Sequence, residues 1–379
     1  MIYVTTRQKV HIHQVSWMDL LEGADLPCNF GKEYVPTGTI TRIMDYASNE
    51  MIAAAGIPGA INWLKRFNER TEYLHQEDMS VFYRHFSIPK KTGGLRPIDA
   101  PCDELQNALR ELKNFLSDRL GVMYHTSAFA YVNGRSIVNA LEKHQRNESN
   151  WFVKTDFSGF FPSVTLDFTM RMVSKIFPLS EICYDREGRE ELRKALSLGF
   201  LNGGLPQGTV LSPYLTNVIM IPMDHYLFNE LAHRKYVYTR YADDIYISCV
   251  QKFNPDDIVS LIKAAIARFN APYVIKPEKT HYGSRKGKNF MLGLILNADN
   301  DIKVGHEKKK YFKAMTTNFI LDTKTGKLWS VDEVRHYEGL RSYYRMVEPE
   351  YFKKIEAHFN TKFNTNVRNL IDSYLTVSY

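Results

Sequence analysis

Tyr236–Val250 reads YVYTRYADDIYISCV. The residues on both sides of the central Ala-Asp-Asp are mostly β-branched or aromatic, the types that suit a pleated, half-buried surface. The pattern predicts a hairpin with Asp243 and Asp244 at its turn. Adjacent carboxylates repel one another, and the ordinary fate of such a pair is to face water. Here the apolar flanks, Tyr236 to Tyr238 before and Ile245 to Ile247 after, would bury the base of the hairpin and fix both carboxylates on a rigid element. Clustered acidic oxygens need a cation, and hard oxygen donors favour Mg2+.

A third carboxylate lies 87 positions upstream, where Asp156 follows the strand-like run Trp151–Thr155. A lone Asp at a strand end more often caps a turn than binds a metal. If its strand neighbours the hairpin, the three carboxylates could hold two ions a few ångströms apart. That arrangement serves in-line phosphoryl transfer, one ion activating the attacking hydroxyl and the other steadying the leaving phosphate.

The rest of the chain supplies alternating helices and short strands. Residues 1–80 read as mainly helical, with candidates at Thr39 to Ala55 and Pro58 to Arg70. Residues 81–101 read as a hairpin turning at Lys90-Lys91-Thr-Gly-Gly, and a helix resumes near Glu104 to Leu116. Ser212 followed by Pro213 reads as an N-cap and a first helical position. Asn254-Pro255 opens a further helix with Ile258, Leu261, Ile262, Ala265, Ile266 and Phe269 on one face. Residues 330–379 read as helices rich in Tyr and Phe. No Gly/Ser or Pro linker interrupts the chain, which predicts one continuous body built from subdomains.

Length and composition set outer bounds. At roughly 100–200 residues per domain, 379 residues allow two or three domains. The 23 Tyr, 22 Phe and net charge of +7 suit a polyanion whose bases stack on rings, and equally a cytosolic protein with a modest basic excess. The charge is concentrated at residues 281–313, with eight Lys or Arg against three Asp or Glu. No stretch approaches the roughly 18 apolar residues of a membrane span, and the N-terminus has no apolar signal core. Cys28, Cys102, Cys183 and Cys249 are too far apart for a CxxC pair and read as reduced thiols, so a cytoplasmic location is expected. The sequence has no GxGxxG, P-loop or HExxH motif.

Six blocks in order, GGLRPIDAP, FVKTDFSGFFPS, GGLPQGTVLSPYLTN, YTRYADDIYIS, IKPEKT and FMLGLIL, resemble reverse transcriptases over about residues 81 to 350. The likeness is greatest to the bacterial group of retron, group II intron and defence-associated enzymes. It implies an α+β right-hand polymerase: fingers and a ferredoxin-like antiparallel palm over 81–300, and a helical thumb over 301–379. The first 80 residues would be an extension that binds a noncoding RNA or another protomer.

The resemblance also implies roles. Asp156, Asp243 and Asp244 match the catalytic, metal-binding carboxylates, with two Mg2+ ions expected. Phe161, five residues after Asp156, matches the ring that excludes a 2′-hydroxyl; the alternative is that Phe160 or Phe161 is simply core. Gln207-Gly208 matches the block beneath the incoming base, and Asn217 falls one or two turns along the next helix. Arg96, with Lys90 and Lys91, matches the fingers hairpin that grips the triphosphate, where a planar Arg fork suits phosphate oxygens. Lys279 matches a Lys near the leaving pyrophosphate, a candidate general acid. Phe290 to Leu296 matches the primer grip. Lys308, Lys309, Lys310 and Lys313 would lie near a phosphate backbone or form a solvated face.

The Gln of Leu205-Pro206-Gln207-Gly208 argues against diversity-generating enzymes, and compact length favours the retron-like or other defence-associated groups. Two departures from retrons stand out: Asn139-Ala140 is followed by His144 one residue late, and Met291-Leu292-Gly293 replaces Val-Thr-Gly. The expected activity is RNA-directed DNA synthesis from dNTPs on a structured noncoding RNA template, with a role in phage defence. Two alternatives stay open: untemplated or protein-primed synthesis, for which Tyr343, Tyr344, Tyr374 and Tyr379 offer hydroxyls, and a catalytically silent RNA-binding scaffold.

Overall fold

The computed structural model describes residues 2–6, 9–13, 56–89, 93–285, 291 and 293–376. Strands β1 (Ile2–Thr6) and β2 (Lys9–His13) open the chain as an antiparallel pair, Tyr3 opposite Ile12. The mainly helical reading of residues 1–80 is therefore corrected at its start. Ile2 and Val4, then Val10 and Ile12, recur at period two, which a strand satisfies and a helix does not. The helix expected at Thr39 to Ala55 lies outside the described residues. The next one is present as α1 (Gly56–Arg70), with Ala60, Ile61, Leu64 and Phe67 buried along one stripe.

Strands β3 (Tyr83–Pro89) and β4 (Leu95–Pro101) follow, then helices α2 (Asp103–Asn114) and α3 (Ile137–Arg146). Strand β5 (Trp151–Ser158) leads through one-turn α4 (Phe160–Ser163) to α5 (Leu166–Val173), α6 (Leu179–Tyr184) and α7 (Arg186–Ser197). Helices α8 (Leu211–Ile219) and α9 (Ile221–Ala232) precede the hairpin of β6 (Val237–Tyr241) and β7 (Asp244–Cys249), and α10 (Pro255–Arg268) follows it. Short strands β8 (Val274–Ile275), β9 (His281–Ser284), β10 (Leu294–Leu296) and β11 (Ile302–Val304) come next. The chain ends in α11 (His306–Lys324), α12 (Val331–Val347), α13 (Pro349–Phe363) and α14 (Val367–Thr376).

These elements form two compact units. The first comprises the described parts of Met1–Ser136, Val153–Ile247 and Asn254–His281; the second comprises those of Ile137–Phe152, Ser248–Phe253 and Tyr282–Tyr379.

The main sheet is ordered β6-β7-β5-β8, with β9 also pairing β5. Ile245, Tyr246 and Ile247 of β7 and Val153 and Phe157 of β5 are buried. Each such side chain contributes about 1.5–3 kcal/mol of burial. Asp156 sits inside β5 and not at its end. Pairing of Phe157 with Ile275 and of Ser158 with Val274 carries the strand two residues further than the apolar run suggests.

Local caps explain the helix starts. Asn254 accepts the N–H of Asp256 to open α10, as its sequence predicts. Ser212 is not an N-cap: α8 already begins at Leu211, and the Thr209 hydroxyl accepts the Ser212 N–H at 3.2 Å. Pro213 is tolerated there because the first-turn N–H groups have no intrahelical partner.

In the second unit, Phe312, Phe319, Tyr337 and Phe352 are fully buried, with Phe312 and Tyr337 stacked at 5.7 Å. Within 330–379, Tyr337, Tyr344, Phe352 and Phe359 therefore build core. His144 on α3 is also buried in this unit, its Nδ1 2.6 Å from the hydroxyl of Ser248, which donates to Ser149 at 2.7 Å.

Burial pushes the His144 imidazole down to about 3 from its usual 6.5. The unfolded chain thus binds a proton near pH 6.5 that the folded chain refuses until about pH 3. Stability from this group is present above pH 6.5 and is lost as pH falls. Lowering the pH from 7 to 5.5 should cost about 1 kcal/mol through His144 alone. Denaturant titrations at both values should show that increment, and His144→Gln should remove it. An unchanged pH slope in the variant would mean that His144 does not titrate in this window.

Candidate active site

The turn between β6 and β7 consists of Ala242 and Asp243. Ala242 is buried and adopts a φ of +58°, a left-handed conformation that strains a non-glycine residue. The Asp243 carbonyl accepts the N–H of Phe157 at 3.2 Å, which ties the turn to β5. Asp156, Asp243 and Asp244 are thereby brought within electrostatic reach of one another. Burial raises the carboxyl of Asp243 above its usual range, and the charges of Asp244 and Asp156 raise it further. Asp244 is raised by burial too; Lys154 opposes this and Asp156 adds to it.

Two ammonium groups partly offset this crowding. Lys154 lies 3.1 Å from Asp244 Oδ1, and Lys279 donates to Asp156 Oδ2. That hydrogen bond, with the nearby carboxylate charges, holds the Lys279 proton more tightly than usual. Asp156 is 9% exposed, and its Oδ1 is buried without a hydrogen-bond partner. Among the described residues, no three His, Cys, Asp or Glu side chains are gathered closely enough to chelate an ion as they stand. The chemistry of the donors nevertheless fits a hard divalent cation: carboxylate oxygens alone, mutually repelling, one of them unsatisfied.

The sequence reading did not include Lys154. Its signal was a charge two residues before Asp156 on the same strand face, in an otherwise apolar run.

Phe160 and Phe161 take different roles. Gly159, at φ +59°, turns the chain out of β5. Phe160 is core at 4% exposure, packed on Phe157 at 5.9 Å and Tyr273 at 5.2 Å. Phe161 is half-buried and meets Tyr131 at 6.4 Å between ring centroids. Tyr131 is 54% exposed, and both Asp243 and Arg96 lie within electrostatic reach of its hydroxyl. It was not singled out from sequence, because its placement depends on a backbone φ of +59° that no local motif announces.

The Gln207-Gly208 loop runs between α4 and β4. The N–H of Leu205 donates to the Phe161 carbonyl at 3.2 Å, and the N–H of Asp99 donates to the Gln207 carbonyl at 2.8 Å. A Cβ on Gly208 would lie 2.7 Å from the Asp99 carbonyl oxygen. The close backbone approach that requires glycine here is therefore made by β4 itself. Arg96 stands exposed on β4 opposite Ile88. Lys90 and Lys91 lie outside the described residues, as do Phe290 and Leu292 of the expected primer grip.

Asn217 is buried, donating to the Ala130 carbonyl at 2.8 Å and accepting from Arg240 at 3.1 Å. In the second unit, Lys309 is committed to Glu348 at 2.8 Å and lies 4.1 Å above the Tyr351 ring. Lys308 crosses Gly293 closely enough that a Cβ there would meet its ammonium. Lys310 and Lys313 are exposed. Tyr344, one of the candidate priming hydroxyls, is buried.

Residues 88–296 match the family described as "Reverse transcriptase (RNA-dependent DNA polymerase)". That span holds Arg96, Asp156, Phe161, Gln207, Gly208, Asp243, Asp244 and Lys279. The chain is 26% identical over 295 residues to the retron Ec83 reverse transcriptase of Escherichia coli, covering 74% of this chain and 88% of that one. It is 24% identical over 303 residues to the E. coli retron Ec73 reverse transcriptase, covering 76% and 91%. It is 28% identical over 245 residues to the Myxococcus xanthus retron Mx162 reverse transcriptase, covering 59% of this chain and 49% of that relative. The likeness to retron enzymes holds despite the displaced His144 and the Met291-Leu292-Gly293 replacement. The chain belongs to the reverse transcriptase family, the RNA-dependent DNA polymerases.

Proposed function

We propose that this RNA-directed DNA polymerase copies a structured noncoding RNA into DNA at the Asp156, Asp243 and Asp244 cluster. The observation that carries the reading is the partly unsatisfied, mutually repelling carboxylate set within the matched span. Mg2+ bound by Asp156, Asp243 and Asp244 would supply Lewis acidity toward the attacking hydroxyl and the leaving phosphate. The chain's own groups set the geometry around it. Arg96 grips the triphosphate from β4, and the bond between Asp99 and Gln207 keeps that strand beside the nucleotide loop. Phe161, braced by Tyr131, forms a wall against the sugar that leaves room for hydrogen at C2′ but not for oxygen. Lys279 balances negative charge at Asp156 and stands ready to turn toward a departing pyrophosphate.

In this reading residues 81–300 act as fingers and palm, residues 301–379 as a thumb, and residues 1–80 as an extension that recognises the RNA or a second protomer. The exposed Lys310 and Lys313 track a phosphate backbone. A noncoding RNA as the template and phage defence as the setting follow the sequence resemblance to retron and defence-associated enzymes. The E. coli and M. xanthus sources support work in the bacterial cytoplasm. Among the described residues no helix is long and apolar enough to cross a membrane.

Asp243→Ala or Asp244→Ala should lower Mg2+-dependent dNTP incorporation by about a thousandfold or more while RNA binding persists. Chelation of the metal should do the same to the wild type. Wild-type incorporation by either purified variant would refute the assignment. Phe161→Ala should admit ribonucleotides, read as a rise in rNTP incorporation relative to dNTP on one RNA template. Unchanged discrimination would make Phe161 a packing residue only.

A further inference from the structure

Arg240 is fully buried in β6, two residues before the turn that carries Asp243. A lone guanidinium there would be strongly destabilising. Asp224 on α9, equally buried, compensates it: Arg240 Nε lies 2.9 Å and Nη2 2.7 Å from the two carboxylate oxygens. Tyr238 donates to the same carboxylate at 2.6 Å. This pairing uses one edge of the guanidinium. The remaining nitrogen, Nη1, donates to the Ala242 carbonyl at 3.0 Å and to Asn217 Oδ1 at 3.1 Å. Asn217 in turn donates to the Ala130 carbonyl at 2.8 Å.

A continuous polar chain therefore runs from Ala130 through Asn217 and Arg240 to Ala242. Both ends meet strained backbone. Ala242 itself takes a φ of +58°, and Tyr131, directly after Ala130, takes +59°. Non-glycine residues in this region persist only where the surroundings over-determine them. The two ends also border the two halves of the candidate site: Ala242 precedes Asp243, and Tyr131 packs on Phe161. Buried ion pairs can often be replaced by apolar residues without loss of stability, so stability alone gives no reason for an Arg at this position.

We propose that Arg240 is the positioning residue of the catalytic turn, and that Asn217 is the link by which it keeps that turn in register with the Tyr131–Phe161 wall. Arg240 touches no reacting atom. It fixes the peptide plane between Ala242 and Asp243, and with it the direction of the Asp243 side chain. Lysine at 240 would keep a charge opposite Asp224 but has no planar fork to reach Ala242 and Asn217 at once. The proposal rests on reading Asp243 as catalytic and Phe161 as the sugar wall.

The test measures kcat, dNTP KM and the dNTP/rNTP preference of the full chain on a primed RNA template, together with RNA affinity. Arg240→Lys should lower kcat at least tenfold with dNTP KM within about twofold. Asn217→Ala leaves the Arg240–Asp224 pair and the Ala242 bond in place, so it tests the link to the Tyr131–Phe161 wall alone; Arg240→Met with Asp224→Leu removes the ion pair without leaving a lone buried charge, and tests the turn if the lysine variant fails to fold. Asn217→Ala should lower kcat severalfold and relax sugar discrimination severalfold, with RNA affinity retained. Wild-type kcat in a folded Arg240→Lys or in the Arg240→Met/Asp224→Leu pair would overturn the positioning role, and wild-type discrimination in Asn217→Ala would overturn the link to the wall, even if the variants melt at lower temperature. Asp243→Asn separates the two ideas. If it is inactive while the Arg240 variants behave as wild type, only the positioning role falls; if it is active, the catalytic reading beneath it falls as well.

Discussion

Three carboxylates held together in a partly buried site work against folding. Burial disfavours the charge of Asp243 and Asp244, and each neighbouring carboxylate adds to the penalty. The chain offsets this with strands whose remaining side chains are almost wholly buried, Ile245 to Ile247 on β7 and Val153 and Phe157 on β5. Lys154 and Lys279 return some positive charge, each to a different carboxylate. They do not complete the network, because Asp156 Oδ1 is left without a partner. A fully satisfied set of ion pairs would be a structural feature with no appetite for a ligand. In the proposed role this incomplete one would accept a cation, so its cost to stability and its usefulness would have the same origin.

Such a site works only if its oxygens are fixed by something stiffer than their own mutual repulsion. The first unit supplies that from two directions. Apolar packing of Phe157 and Phe160 on Tyr273 holds the end of β5. Directional hydrogen bonds hold the turn, where Phe157 bonds the Asp243 carbonyl and Arg240 bonds that of Ala242. Packing alone tolerates small shifts of a side chain, whereas a bidentate guanidinium does not. The same division recurs at the Gln207-Gly208 loop. Gly208 permits contact with β4, and the bond between Asp99 and Gln207 fixes its register.

Much of this was legible in the sequence because its signals are local. The β6–β7 hairpin, the β3–β4 hairpin and α10 each follow from a run of residue types bounded by turn or cap residues. The carboxylates followed from charge placed beside apolar runs. What was not legible depends on partners far away in the chain. Asp156 looked like a strand end because the pairing that extends β5 comes from Val274 and Ile275. The contact of Gly208 with Asp99 has no local signal, because nothing near Gly208 in the sequence announces β4. Ser212 lies inside the first turn of α8, where its N–H donates to the Thr209 hydroxyl, a shift of the kind that helix termini invite. Arg240 lay inside the very stretch that revealed the hairpin. A lone charge in a strand otherwise built for burial signals a buried partner, but no rule of spacing points from it to Asp224.

Composition was the least reliable guide, for a reason that the second unit makes plain. A ring can stack on a base or fill a core, and an ammonium can meet a phosphate or a carboxylate. Whole-chain counts do not separate these uses. Phe312, Phe319, Tyr337 and Phe352 are fully buried, so they offer no face to a nucleic acid. Lys309 is held by Glu348, which also accepts the Val304 N–H at 2.6 Å, so that ammonium fastens α11 to the β11 end of the unit. The charges exposed to solvent include Lys310 and Lys313 in this unit and Arg96 in the other. A net charge of +7 is therefore a poor measure of how this chain would hold RNA. The stronger physical argument for a polyanionic substrate is local: a carboxylate cluster with an unsatisfied oxygen and an exposed arginine within electrostatic reach of the same tyrosine as Asp243.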